Sequence, residues 1–125
     1  MVSYDEIFKA YLEYEKEHDC KKWCDLWMLC NTRMGALVKH RAKKLAIPLP
    51  EGDIDDLITD ATTRVMCVLR RDTADSAAYI SKTFHYENTH AFTAYNRAKR
   101  KQQRLISVVR LANFFLRFSG GSRSE

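Results

Sequence analysis

The chain has 125 residues, of which 46% are apolar and 30% charged, with two prolines and four glycines. That length fits one compact domain with a real core, and the composition excludes a disordered, collagen-like or low-complexity chain. The net charge of +5 is unevenly spread: residues 1–60 carry nine Lys/Arg against twelve Asp/Glu (−3), and residues 61–125 carry twelve against four (+8). An acidic front and a basic rear point to one anionic partner and to a second partner of different character.

Helical periodicity runs through the whole chain and no strand alternation is evident. A first helix is expected over 4–17, with Ser3 as N-cap and Glu6 completing a capping box. Ile7, Phe8, Tyr11, Leu12 and Tyr14 are its apolar positions. A second helix is expected over 21–46, where Trp23, Trp27, Cys30, Met34, Leu37, Val38, Arg41 and Leu45 follow at three- and four-residue steps, so one face is nearly all apolar. Pro48 and Pro50 end it, because proline has no N–H for the ladder and restricts the residue before it.

A third helix over 54–71 follows an acidic turn, with Ile54, Leu57, Ile58, Ala61, Val65, Val68 and Leu69 on one face. After a short break a fourth helix runs from 75 or 76 to about 103, with Ala77, Ile80, Phe84, Ala91, Tyr95 and Ala98 inward. A fifth, Leu105 to Phe118, is apolar almost all round apart from Arg110 and Arg117. Such a helix is either deeply packed or meets a partner. Residues 119–125 read as a flexible tail, so the expectation is one all-α domain over 1–118, a four- to five-helix orthogonal bundle.

No apolar run is long enough for a membrane span, and the acidic, amphipathic N-terminus is not a secretory signal. The expected location is cytoplasmic, with no membrane partner. Cys20, Cys24, Cys30 and Cys67 then read as small core residues beside Trp23 and Trp27 rather than as disulfides or metal ligands. His85 and His90 are five apart and do not share a helix face as zinc-protease histidines do. Cys67 has no evident base partner and there is no glycine-rich phosphate loop, so no enzyme, metal or cofactor is expected.

Two clusters stand out. Arg97, Lys99, Arg100, Lys101 and Arg104 lie within eight residues, and no acid occurs between Glu87 and Glu125. Such a run suits phosphate, with steep salt dependence. The aromatics Tyr79, Phe84, Tyr86, Phe92 and Tyr95 precede it, and those facing outward could stack unpaired bases. The other reading is a solvated basic helix whose aromatics are all buried. Asp53, Asp55, Asp56 and Asp60 form the second cluster; their spacing fits no calcium loop, which leaves helix capping or a surface for a basic protein partner.

The order of these features resembles region two of bacterial sigma factors, especially the small alternative ones, over about residues 30–104. Asp56, Leu57, Ile58, Asp60 and Ala61 match that family's acidic helix start, although Thr59 stands where Gln is usual and Thr62 where an aromatic often stands. Tyr79, Ile80, Asn88 and the Arg97–Arg104 run are similar to the helix that ends in a basic stretch. The resemblance implies two surfaces. Asp53, Asp55, Asp56, Thr59 and Asp60 would dock on the clamp helices of the RNA polymerase beta-prime subunit. Tyr79, Lys82, Tyr86, Asn88, Asn96, Arg97, Lys99, Arg100, Lys101 and Arg104 would face the promoter's minus-ten element, partly single-stranded.

No helix-turn-helix domain follows, so a complete sigma factor is not expected; an isolated region-two domain, part of a split factor, or a phage or mobile-element regulator is. Two other readings stay open. One is a small nucleic-acid-binding protein unrelated to sigma factors. The other is an adaptor or inhibitor that uses Leu105–Phe118 to grip another protein or a second copy of itself.

Overall fold

A computed structural model describes residues 1–123, with side-chain surroundings through Arg117. Four helices follow one another: α1 (Tyr4–Lys16), α2 (Cys20–Lys43), α3 (Glu51–Arg71) and α4 (Ala77–Arg123), and the described residues include no strand. The chain divides into two compact units, Met1–Phe92 and Thr93–Glu125.

Local chemistry explains the boundaries. Ser3 is extended and its Oγ accepts from the Glu6 N–H at 3.2 Å, which starts α1. Asp19 repeats the device for α2, its Oδ1 accepting from the Lys21 N–H at 3.4 Å. The second helix stops at Lys43 rather than at residue 46. The Lys44 and Leu45 N–H groups donate to the Arg41 and Ala42 carbonyls, so the last turn has already tightened before the prolines. Pro50 is the N-cap of α3, which begins at Glu51, three residues ahead of expectation. Its φ of −58° is preset for the helix, and its carbonyl accepts from the Ile54 N–H at 3.1 Å.

The core of the first unit is built from Ile7 and Tyr11 of α1, Leu26, Cys30, Met34 and Val38 of α2, Leu57, Ala61, Val65 and Leu69 of α3, and Ile80, Phe84, Ala91 and Phe92 of α4. Tyr11 spans it: its hydroxyl accepts from the Ala74 N–H at 3.0 Å, satisfying a buried donor in the α3–α4 connection. Thr62 is buried as well. Its hydroxyl donates to the Ile58 carbonyl at 2.7 Å and its oxygen lies 3.2 Å from Oδ1 of Asn31, which ties α3 to α2. Gly35 on α2 faces Ile58, and a Cβ there would sit 3.8 Å from Ile58 Cδ1, an ordinary contact.

Two expectations are corrected. The fourth and fifth helices are one, because residues 77–118 contain no proline or glycine and nothing interrupts the backbone ladder. What changes near residue 104 is the pattern of side chains, not the backbone. Cys20, Cys24 and Cys67 are exposed, and only Cys30 is buried. Cys20 and Cys24 stand off the Leu26–Cys30–Met34 stripe, while Trp23 and Trp27 are half-buried beside it. Of the tail expected at 119–125, Ser124 and Glu125 lie outside the described residues.

Candidate nucleic-acid and protein interfaces

The acidic start of α3 is a surface. Asp55, Asp56, Thr59 and Asp60 are exposed and Asp53 is half-buried. Asp56 and Asp60, one turn apart, share a face. Asp60 is bonded by Arg64, whose Nε donates to its Oδ2 at 3.1 Å on the same helix. Such an exposed pair is worth only about 0.3–0.5 kcal/mol, so Asp60 remains open to a stronger cationic partner. Asp55 and Thr59 also line a groove against α2, together with Asn31, Thr32, Gly35, Ala36, Lys39 and Ile58. The groove exists because α2 carries Gly35 and Ala36 where a larger side chain would fill it.

The first half of α4 supplies a second surface. Tyr79, Lys82 and Tyr86 recur at helical steps and line a pocket of about 330 Å³ with Arg71, Asp72 and Glu87. Tyr86 is 61% exposed, and its ring lies 4.3 Å from that of His90. Tyr79 is half-buried and Lys82 exposed. Arg71 donates to Asp72 at 3.2 Å and so holds a cation at the pocket rim. The expected site omitted Arg71, because at a helix C-terminus an arginine is already accounted for by the dipole.

Asn88 is placed differently from the rest of its set. It is only 6% exposed, and its amide oxygen is buried without a hydrogen-bond partner. The signal was present in the sequence: Ile80, Phe84, Asn88 and Ala91 follow one another at steps of four, four and three, on the inward face.

In the second unit Asn96, Arg97, Lys99, Arg100, Lys101 and Arg104 are all exposed. Arg97, Arg100, Lys101 and Arg104 stand at i, i+3, i+4 and i+7, one helix face, and that face carries no carboxylate. Lys99 lies off it, with its Nζ 5.6 Å from the Tyr95 ring centroid. Four cations on one face repel one another unless an anion is near, so the arrangement is chemically suited to a phosphate backbone.

Elsewhere, burial pushes the Cys30 thiol up to about 12, which marks it as inert core. Glu17, hydrogen-bonded to the Lys22 ammonium at 3.0 Å, raises that lysine above its ordinary value. Among the described residues no three metal-ligating side chains come together, and no helix is long and apolar enough to cross a membrane. No family model, curated protein or solved structure matches the chain.

Proposed function

We propose that this chain is a sigma-like transcription factor or polymerase-binding regulator, with the acidic start of α3 as its polymerase surface and α4 as its promoter surface. Asp53, Asp55, Asp56, Thr59 and Asp60 meet basic side chains on the beta-prime clamp helices. Tyr79, Lys82 and Tyr86 take unstacked bases, and Arg97, Lys99, Arg100, Lys101 and Arg104 hold phosphates, with Asn96 beside them. Binding energy opens and holds DNA, and no covalent step is involved.

The observation that carries the reading is the cationic run: five exposed Lys/Arg within eight residues, on a helix with no acid from residue 88 to residue 124. The exposed Tyr86–His90 ring pair and the Tyr79–Lys82 pocket support the single-stranded part. The exposed acidic turn supports a second, basic partner. An adaptor that grips another protein is the second reading, favoured by the exposed apolar side chains from Leu105 to Leu116.

Two experiments test the proposal. Affinity for a single-stranded oligonucleotide, measured from about 50 to about 200 mM salt, should fall steeply. Alanine at Arg100 and Lys101 should reduce the slope of log affinity against log salt by about 1.4, at about 0.7 per phosphate contact. Binding that ignores salt overturns the nucleic-acid half. Reversal of charge at Asp56 and Asp60 should abolish co-purification with core RNA polymerase, and undiminished co-purification overturns the other half.

A further inference from the structure

Beyond residue 104 the side chains of α4 change character while the helix continues. Eight large apolar side chains between Leu105 and Leu116 are 45–68% exposed. Their arrangement is not random. Leu105, Val108, Ala112 and Phe115 are spaced three, four and three, the seam of a helix pair. Val109, Leu111 and Leu116 flank that seam, whereas Ser107, Arg110, Asn113 and Arg117 fall on the opposite side together with two of the eight apolar side chains, Ile106 and Phe114.

We propose that this face is covered by a second copy of the same chain, lying antiparallel, with the twofold axis level with Arg110. About that point the seam is self-complementary: Leu105 of each copy faces Phe115 of the other, and Val108 faces Ala112, a larger side chain entering the space left by a small one. Charge selects the orientation. Arg97, Lys101 and Arg104 lie on the line of the seam, one and two turns ahead of Leu105 and Val108. A parallel pair would set these cations against their own copies with no acid to relieve them. An antiparallel pair sets each 97–104 run beside residues 116–123 of the other copy, so five cations meet two arginines, Arg117 and Arg123, instead of a second run of five.

In that arrangement Lys99 and its twofold mate are separated by about 22 residues of rise, about 33 Å, several Debye lengths at physiological salt. Arg110 and Arg117 point outward from the seam. Seven apolar side chains per copy enclose on the order of 1,000 Å² in total, the lower limit of a specific interface, which suits a weak, concentration-dependent pair. About 33 Å is also close to one turn of B-form DNA. That coincidence bears on function only if the nucleic-acid reading holds; the pairing itself does not depend on it.

Sedimentation of the full chain without DNA, from about 5 to about 500 μM, tests the pairing. A monomer–dimer equilibrium is expected. Leu105→Glu and Phe115→Lys should each raise Kd at least about tenfold, and the two together in one chain should restore it to within about threefold. Restoration requires antiparallel contact, because a parallel pair would bring like charges together. Both positions are solvent-exposed in the single chain, so far-UV circular dichroism should show the helices intact in all variants.

A monomer at every concentration, a trimer or larger assembly, or a double variant that fails to recover overturns the proposal. So does a monomer that sediments with phosphatidylglycerol vesicles, which would give the apolar face to lipid. Loss of oligonucleotide binding with the dimer intact would instead count against the proposed function alone.

Discussion

Within α4 the residues from Ala77 to Phe92 and those from Asn96 to Arg117 share one backbone conformation and live in different surroundings. The first stretch buries Ile80, Phe84, Ala91 and Phe92 and takes its stability from packing. Arg41 adds to it from α2, its guanidinium 4.9 Å from the Phe92 ring centroid and 3.0 Å from the Thr89 hydroxyl. In the second stretch every side chain is exposed, although eight of them are large and apolar. Helix propensity alone holds a segment of that length only marginally in water. The difference teaches that an apolar helix face is not by itself a core; something must reach it.

The contrast can be tested hardest at two phenylalanines. Phe84 is fully buried, with the Tyr4 ring 5.3 Å away edge-on, and Phe84→Ala should destabilise the first unit by about 3–5 kcal/mol in urea denaturation. Phe115→Ala should change that transition by less than about 0.5 kcal/mol. Equal effects would erase the distinction. Tyr11→Phe comes next: the Ala74 N–H would lose its acceptor while remaining buried, at a cost of about 1–3 kcal/mol by the same measurement.

A pH series probes the buried side alone. The Cys30 thiol is raised from 9.0 to about 12, so the folded chain keeps it neutral where the unfolded chain ionises. Its contribution is complete below pH 9 and is lost as pH rises from there toward 12, by about 1.4 kcal/mol per pH unit. Cys30→Ala should flatten that part of the wild-type profile, and an unchanged slope would show the thiol to be hydrated. Gly35→Ala is a small effect of the opposite sign. With an ordinary 3.8 Å contact to Ile58 and a better helix former, melting should show about 0.5–1 kcal/mol of added stability.

Much of the architecture could be read in advance at places where chemistry is local. Ser3 caps α1, the prolines separate α2 from α3, and the stripes of α3 and early α4 are inward as their periodicity requires. The readings that failed depended on how far the core extends. Cys20 and Cys24 look like core beside two tryptophans, but they stand in the first turns of α2, at the end of the helix that the core does not cover. Asn88 looks like a surface group by type, but periodicity, which places it with Ile80 and Phe84, was the better guide. The surface candidates fared differently: Asp55, Asp56, Asp60, Tyr86 and the Arg97–Arg104 run are all solvent-accessible, and for the charged clusters that follows from the cost of burying several unpaired charges together.

By itself the sequence determined the all-helical class, the Ser3 cap, the proline break after α2 and the separation of acidic from basic charge, since these follow from side chains acting within a turn or two of their own position. Only the tertiary structure decided which stripes find a partner. Burial depends on residues distant in the chain arriving at the same place: Tyr11 on Ala74, Thr62 on Asn31, Tyr4 on Phe84. Eight large apolar side chains between Leu105 and Leu116 stay exposed although their helix is as regular as the packed part of α4.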